Sequence, residues 1–260
     1  MSRTQDPRLP KGKPVSATSN TMGILSYLSR QSNPAKLSDI SKGLGLNPSN
    51  CLNILHTLVR EEFVSFNPDS KQYEIGVGIL ELSNNSSALQ RDISAIRPLM
   101  EHVANQRGFT VALWRQVSRS HKVLVLAANP PGQARMHMSL GQRPLLFTGA
   151  SGRVSAAFSR ITERALHAQF KKVRWYQPIT FEKFLQEVAE TRERGWSVDI
   201  ERLLPGIATV GVPVFDARGD LMMVCTAIMW ISQYSAKFAL ETANDMLRLS
   251  RNISFVAPTL

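Results

Sequence analysis

Apolar residues recur at helical spacing on both sides of a short break near residue 45. They are Ile40, Leu44, Leu46, Cys51, Ile54, Leu55 and Leu58. This spacing predicts two short helices joined by a tight turn at 43–47. Asn47 can cap the second helix, and Pro48 suits its first position, where a missing N–H group costs nothing. A DNA-binding helix-turn-helix requires such a pair, although a helix pair in an ordinary bundle has the same pattern.

Two strand patterns follow the helix pair directly. Residues 63–66 and 71–75 alternate, incompletely, between apolar and polar side chains, and Asn67-Pro68-Asp69-Ser70 between them is a strong turn signal. A helix-turn-helix followed by a β-hairpin is a winged helix, a succession much more specific than either part. With a supporting helix at 19–30, it predicts a winged helix-turn-helix DNA-binding domain over residues 18–77.

The rest of the chain divides into a short connection and a larger domain. Gly76 and Gly78 end the hairpin, and residues 78–90 predict a linker helix. Residues 91–260 mix hairpin strands with helices, which predicts an α+β domain with an antiparallel sheet. Its predicted helices are 93–107, one that opens at 149–152, 162–170, 181–194 and 236–253; its predicted strands are 109–117, 122–128, 207–215 and 221–231, and the stretch 133–144 is compatible with one more.

Charge is distributed unevenly between these domains. The chain has 260 residues and a formal net charge of +11. Residues 1–90 carry nine Lys and Arg against seven Asp and Glu, whereas residues 91–260 carry 22 against 13. The positive charge favours a polyanionic partner or an anionic ligand, but it does not single out the helix-turn-helix. Residues 1–17, rich in Pro, Lys, Arg and Ser, predict a disordered basic tail.

Several classes of protein are disfavoured by the sequence. No apolar run approaches the roughly 20 residues of a membrane span, and the basic start is not followed by the apolar segment of a secretory signal. With two cysteines, both in apolar patterns, a reduced cytoplasmic location without a membrane partner is expected. The five histidines lack metal-ligand spacing, and no P-loop, dinucleotide fingerprint or nucleophile elbow is present. We therefore expect no metal, no cofactor and no catalytic residues.

Five motifs in order along the chain resemble the IclR family of bacterial transcriptional regulators. They are the helix-turn-helix Leu37-Ser38-Asp39-Ile40 … Leu46-Asn47-Pro48-Ser49-Asn50, the hairpin end Tyr73-Glu74-Ile75-Gly76, the helix start Gly152-Arg153, and the stretches Arg194-Gly195-Trp196-Ser197-Val198-Asp199-Ile200-Glu201 and Gly211-Val212-Pro213-Val214-Phe215-Asp216. The resemblance covers about residues 18–255. It implies an N-terminal winged helix, a C-terminal GAF-like effector-binding domain, and homodimers or tetramers on paired DNA half-sites.

The resemblance also implies an effector site in the second domain. Similar proteins bind small organic acids with a helix N-terminus near the Gly152 position and with residues at the positions of Asp199, Thr209, Thr226 and Ile228. The free N–H groups and positive dipole end of a helix start suit a carboxylate, and hydroxyls donate further hydrogen bonds. For the two threonines, a plain role as strand hydroxyls is an equal alternative.

Large apolar side chains near these positions in sequence indicate what kind of acid the site would bind. Ile228 stands where similar proteins commonly carry a second hydroxyl. Trp114, Trp230 and Met223 add large apolar side chains that are nearby in sequence. Together they favour an aromatic or otherwise less polar acid over one the size of glyoxylate.

The same resemblance, together with exposure at the helix start, implies which residues meet DNA. The predicted set is Pro48, Ser49, Asn50 and Asn53 at the bases, with Lys42 and Lys71 at phosphates. Similar proteins often carry Arg at the Asn53 position. Asn there favours reading an adenine edge over a guanine edge.

The predicted function is a sequence-specific DNA-binding transcriptional regulator whose operator binding is modulated by a small organic acid. Two other functions stay open. A winged helix can also bind protein, and the low net charge of the first 90 residues supports that alternative. An enzyme acting on the small acid is the other.

Overall fold

A computed structural model of the chain describes residues 15–79, 82, 87–132, 136 and 138–257. The chain divides into two units, Met1–Gln90 and Arg91–Leu260, which are called the N-terminal and C-terminal units below. Each unit has a hydrophobic core of its own.

The N-terminal unit combines helices with a small antiparallel sheet. Its elements in chain order are α1 (Ser16–Leu28), β1 (Ala35–Lys36), α2 (Leu37–Leu44), α3 (Pro48–Arg60), β2 (Val64–Asn67) and β3 (Gln72–Ile75). The three strands have the order β1-β3-β2. One residue from each helix, Ile24, Ile40 and Leu55, is fully buried in the shared core. The predicted winged helix is confirmed.

The turn between α2 and α3 follows from local chemistry. Gly45 ends α2 with a φ of 64°, the left-handed conformation that favours glycine. Asn47 Oδ1 then accepts a hydrogen bond from the Ser49 N–H at 2.9 Å, and Pro48 is the first residue of α3. The predicted cap is therefore confirmed.

Two predicted boundaries in this unit are wrong. The turn does not begin at Gly43, which still belongs to α2, because helical hydrogen bonding continues until the Gly45 N–H reaches the Lys42 carbonyl at 3.3 Å. The predicted tail does not extend to residue 17, because α1 begins at Ser16. Burial of Ile24 against the core stabilises this helix.

The predicted tail and linker helix fall partly outside the described residues, which omit 1–14, 80, 81 and 83–86. Residues 87–90 of the predicted linker belong to a long helix, α4 (Ser87–Arg107). The C-terminal part of α4 buries Ile96, Met100 and Ala104 at helical spacing. The helix therefore begins before residue 91, where the predicted second domain starts.

The C-terminal unit is built on a five-stranded antiparallel sheet. After α4, its elements are β4 (Thr110–Gln116), β5 (Lys122–Ala128), α5 (Gly149–Phe158), α6 (Glu163–Phe170), α7 (Phe181–Arg194), β6 (Ser197–Ile200), β7 (Ile207–Phe215), β8 (Leu221–Trp230), a 3₁₀ turn (Ile231–Gln233) and α8 (Ala236–Val256). The strand order is β5-β4-β8-β7-β6. The predicted α+β class with an antiparallel sheet is confirmed.

Two strand predictions for this unit need correction. The sequence pattern did not predict β6. It is a four-residue strand at the edge of the sheet, and it forms a strand only because it pairs with β7. The stretch 133–144 has no strand among its described residues, which omit 133–135 and 137. It follows the edge of β5 through isolated contacts instead, since the Lys122 and Leu124 N–H groups donate to the Pro144 and Gln142 carbonyls at 3.2 and 3.1 Å.

Alternation along the strands gives the sheet two different faces. One face is apolar, with Leu113, Val210 and Cys225 buried against α4 and α8. The opposite face carries α5 and is called the site face below. The side chains that define the site face are Trp114, Lys122, Asp199, Thr209, Thr226 and Ile228.

Candidate functional site

The exposed face of α3 carries the residues predicted to meet bases. Pro48, Ser49, Asn50 and Asn53 are all exposed. The residues that the helix buries are Cys51, Ile54, Leu55 and Leu58. The opening turns of α3 therefore present a polar surface to solvent. A role in DNA reading stays a prediction for each of these residues.

The polar surface of α3 extends further than predicted. His56, Thr57 and Arg60 are exposed and follow Asn53 at positions i+3, i+4 and i+7, so they share its side of the helix. The Thr57 hydroxyl donates to the Asn53 carbonyl at 3.0 Å. Helical spacing alone could have identified all three. The surface available to a partner thus runs the length of α3.

The two predicted phosphate contacts lie at exposed ends of secondary structure. Lys42 is in the last turn of α2. Lys71 lies at the tip of the β2–β3 hairpin with a φ of 53°. The preceding turn is fixed by Asn67 Oδ1, which accepts hydrogen bonds from the N–H groups of Asp69 and Ser70 at 2.9 and 3.1 Å. Both residues are exposed, and their contact with DNA phosphates stays a prediction.

Four of the five predicted effector residues lie on the site face. Asp199, Thr209 and Ile228 are cross-strand neighbours on β6, β7 and β8, and Thr226 lies two residues along β8. The fifth residue, Gly152, is in α5, which packs on this face. The predicted residues are therefore brought together, although they come from four different elements.

Gly152 fulfils a packing requirement rather than opening the helix. α5 begins at Gly149, three residues earlier, and the Gly152 N–H already donates to the Thr148 carbonyl at 2.9 Å. A Cβ at position 152 would lie 2.2 Å from the carbonyl carbon of Phe147. Only glycine permits this close approach. The helix start that resembles an acid-binding element is thus Gly149, not Gly152.

Asp199 is already engaged in a buried ion pair. Its Oδ2 lies 2.8 Å from Arg153 Nη1, and the Arg153 Nε lies 2.6 Å from Glu187 Oε2. Arg202 forms a further ion pair with Glu187. Arg153 and Asp199 are only 1% and 4% exposed in their side chains, so each charge depends on its partner. Sequence reasoning had no signal for this network, because its members are far apart in the chain.

Two buried polar atoms near Asp199 have no hydrogen-bond partner among the described residues. They are Thr209 Oγ1 and Arg153 Nη2. Thr209 is the cross-strand neighbour of Asp199, and Arg153 binds the Asp199 carboxylate through its other terminal nitrogen. A hydroxyl, which can donate and accept, and a guanidinium N–H donor therefore remain unsatisfied on the site face.

Thr226 is held by a buried tryptophan. The Trp114 Nε1–H donates to Thr226 Oγ1 at 2.9 Å, and the Thr226 hydroxyl approaches the Ala112 carbonyl at 3.4 Å. Of the apolar side chains expected near the ligand, Trp114 lies on the site face, whereas Met223 lies on the opposite face. Met223 is near the site in sequence only, because strand alternation directs its side chain into the other core.

A small, mostly apolar pocket opens at the end of this face. Its lining includes Thr110, Pro130, Met136, Ile207, Ile228 and Trp230. The Thr110 hydroxyl is bonded to Asn129 Oδ1 at 2.9 Å. Ile228 and Trp230 therefore border this small cavity, and a role for them in ligand binding stays a prediction.

Lys122 is a buried cation on the site face that sequence reasoning missed. Its Nζ donates to the Thr148 carbonyl at 3.0 Å, to the Leu146 carbonyl at 3.3 Å and to the Ser151 hydroxyl. Burial lowers the pKa of Lys122 to about 7, while the negative charge of Asp199 opposes the shift. A lysine that begins a strand after a polar turn is ordinarily exposed, so the sequence around Lys122 does not indicate that it is buried.

Comparison with known families decides the identity of the fold. Residues 17–68 match the model described as the IclR helix-turn-helix domain, and residues 88–255 match the one described as bacterial transcriptional regulator IclR C-terminal. The chain belongs to the IclR family. Its predicted fold and its function as an IclR-type transcriptional regulator are thereby confirmed.

Regulatory proteins from other bacteria resemble the chain over most of its length. The glycerol operon regulatory protein of Streptomyces griseus is 28% identical over 70% of this chain and 72% of its own. An IclR transcriptional regulator from Alicyclobacillus acidocaldarius is 25% identical, with a TM-score of 0.83 over 94% of this chain and all of its own. An IclR homolog from Microbacterium hydrocarbonoxydans complexed with 4-hydroxybenzoate has a TM-score of 0.79 over 93% of this chain and 99% of its own; at 15% identity, this likeness concerns the fold alone.

The IclR comparison favours a regulator over an enzyme, since its named relatives are regulators of transcription. Within the described residues, no helix is long and apolar enough to cross a membrane, and no three His, Cys, Asp or Glu side chains are grouped to hold a metal ion. Cys51 and Cys225 are free and buried, as their apolar contexts predicted.

Proposed function

We propose that this IclR-family regulator reads operator DNA with the exposed start of α3, and that a small organic acid bound on the site face changes its affinity for the operator. The observation that carries the acid-binding half is the pair of unsatisfied buried atoms, Thr209 Oγ1 and Arg153 Nη2. A buried polar group without a partner costs about 1–3 kcal/mol. A ligand oxygen that reaches them removes that cost.

The exposed amides of α3 support the DNA-binding half. No hydrogen bond to another described residue holds the side chain of Asn50 or Asn53, so both amides are available to a base edge. An asparagine amide donates to and accepts from adenine in the major groove. Lys42 and Lys71 would add phosphate contacts that set the register without carrying sequence information.

An aromatic acid fits the apolar side chains of the site face best. Trp114 lies under α5, and Ile228 and Trp230 line the neighbouring pocket. The Microbacterium hydrocarbonoxydans homolog binds 4-hydroxybenzoate, an acid of this kind. Polar atoms near Asp199 would orient the ligand while these side chains cover its ring.

We further propose that the protein acts in the cytoplasm as a homodimer or tetramer on paired half-sites. Symmetric oligomers match the two-fold symmetry of operators, and one half-site gives limited affinity. An acid can change operator binding only by its differential affinity for two arrangements of the protein. Half-site spacing then decides which arrangement binds DNA.

The DNA-binding half is tested by selecting binding sites from a random duplex library with the full-length protein. Fluorescence anisotropy on the selected duplex should show affinity that falls with salt, because phosphate contacts release counterions. Asn53→Ala should relax the preference at one base pair by about 1–3 kcal/mol. Asn33→Ala, which removes an exposed asparagine outside α3, is the matched control and should change nothing.

The alternative outcomes are distinct. If no duplex is enriched and binding is insensitive to salt, the winged helix serves a protein partner, as the low charge of the first 90 residues allows. If a sequence is enriched but Asn53→Ala keeps the wild-type preference, Asn53 does not read a base.

A further inference from the structure

Lys122 is a buried charge whose hydrogen-bond partners are all neutral. Its ammonium donates to two backbone carbonyls, those of Leu146 and Thr148, and to the hydroxyl of Ser151. The residue is 3% exposed. No carboxylate among the described residues lies within ion-pair distance of it. Burying an ammonium in neutral surroundings is costly, because it loses its water without gaining an opposite charge.

The other buried cation on this side of the sheet is compensated. Arg153 lies between the carboxylates of Asp199 and Glu187, at 2.8 and 2.6 Å. Asp199 is thus committed to Arg153 and reaches Lys122 only as a longer-range charge. The described part of the unit therefore holds one buried cation with its counter-ions and one without.

Lys122 also lies where an acid ligand is expected. It shares the site face with Trp114, whose ring centroid is 5.5 Å from Nζ, and Trp114 in turn binds Thr226. The first turn of α5 is beside it, because Thr148 and Ser151 accept its hydrogen bonds. Thr148 does not cap this helix start: its hydroxyl donates to the Leu145 carbonyl at 2.8 Å instead. The dipole of α5 and the ammonium of Lys122 therefore present positive charge to the same place.

We propose that Lys122 supplies the counter-charge for the carboxylate of the acid effector and thereby selects anionic ligands. This inference rests on the proposed function. The carboxylate would replace part of the neutral hydrogen bonding around Nζ with a charge-assisted hydrogen bond. Trp114, against the ammonium, would meet the adjoining part of the ligand. Nothing in the sequence resemblance assigns a role to this lysine.

Binding of an acid beside Lys122 changes the number of protons that the protein holds. In the free protein burial holds the pKa of Lys122 near 7, so that the amine is largely neutral at about pH 8. A carboxylate beside it raises that pKa, and binding therefore takes up a proton above pH 7 but almost none near pH 6. Three other charged or titratable groups bear on this site: Asp199, whose negative charge favours the ammonium at longer range; Arg153, which is paired with Asp199; and the chain neighbour His121, whose Nδ1 lies 2.9 Å from Ser120 Oγ.

The experiment is titration calorimetry of the full-length protein with benzoate, 4-hydroxybenzoate and pyruvate in buffers of different ionisation enthalpy. Wild type should take up close to one proton per bound acid at about pH 8 and close to none at about pH 6. Lys122→Met should weaken binding by about 10- to 100-fold at pH 6, the value of a hydrogen bond to a charged group. Lys122→Arg should bind without proton uptake at pH 8, because its guanidinium stays protonated.

The outcomes separate this inference from the function on which it rests. If the acids bind wild type and Lys122→Met equally tightly at pH 6, or if proton uptake at pH 8 persists in Lys122→Arg, the counter-charge proposal is overturned while an acid effector stands. If none of the acids binds wild type, the acid effector itself fails. If Lys122→Met is unfolded by circular dichroism, the wild-type and Lys122→Arg proton counts still decide the proposal.

Discussion

The Trp114 indole N–H donates a 2.9 Å hydrogen bond to the Thr226 hydroxyl across the adjacent strands β4 and β8. Both residues are buried, and the bond fixes the indole against the site face. Neither residue is the other's neighbour in sequence, yet the register pairs Ala112 with Thr226 and Trp114 with Val224. The pair links a residue expected to bind the effector with the aromatic ring next to Lys122.

Removing both partners of this hydrogen bond should cost less stability than the sum of the two single removals. Thr226→Val leaves the buried Trp114 N–H without an acceptor, and we expect the free energy of unfolding to fall by about 1–3 kcal/mol. Trp114→Phe leaves the Ala112 carbonyl as the only hydrogen-bond partner of the Thr226 hydroxyl, and the smaller ring also loses packing contacts. The double variant should lose less than the sum of the two, measured by urea denaturation. Strict additivity would show that the bond contributes nothing.

Thr209→Val should affect the ligand but not the fold. Because Thr209 Oγ1 is buried without a partner, replacing it by a methyl group of the same shape should leave thermal stability unchanged or slightly higher. Acid affinity should fall by about tenfold, since one hydrogen bond is lost. Thr110→Val is the matched control: its hydroxyl is bonded to Asn129 Oδ1, so that variant should lose stability. A large loss of stability in Thr209→Val would show that its hydroxyl is satisfied in the folded protein.

Asp199→Asn should destabilise the C-terminal unit strongly. Arg153 would keep Glu187 but lose its second carboxylate in a site from which water is excluded. Breaking a buried ion pair costs about 3–5 kcal/mol, so the unfolding midpoint should fall by several degrees. Asp220→Asn, in which an exposed carboxylate 3.5 Å from Arg160 is neutralised, should shift the midpoint very little. Equal shifts in the two variants would contradict the assigned role of Asp199.

Lys122 should make stability rise with pH. Its pKa is about 7 in the folded protein and about 10.4 in an unfolded chain. Between those values the unfolded chain binds more protons, so the free energy of unfolding should increase by about 1.4 kcal/mol per pH unit. Lys122→Met lacks the titrating amine, so its free energy of unfolding should change less with pH. Denaturation curves followed by tryptophan fluorescence measure this. Parallel profiles would mean that Lys122 keeps an ordinary pKa when folded.

The helix-turn-helix was predictable because its determinants are local. Asn47, Pro48 and the apolar spacing of α3 act within a few residues, and the structure reproduces each. β1 and β6 escaped prediction because Ala35–Lys36 and Ser197–Ile200 are too short for a pattern of their own and become strands only by pairing with β3 and β7.

The site face was predictable only in part. Resemblance supplied the positions of Thr209, Thr226 and Ile228, and the register brings them together. It did not show that Asp199 is paired with Arg153, which lies 46 residues away. Nor did it show the burial of Lys122, because burial depends on the 141–147 stretch that passes its strand. Contacts between residues that are far apart in the chain cannot be inferred from a single sequence.

We propose that an acid bound in the C-terminal unit controls DNA binding by the N-terminal unit. The most direct measurement is the affinity of the full-length protein for its selected duplex, by fluorescence anisotropy, with and without an acid that binds in calorimetry. We expect a change of about fivefold or more at saturating acid, and a smaller change for Lys122→Met at the same acid concentration. Equal operator affinity with and without saturating acid would contradict it.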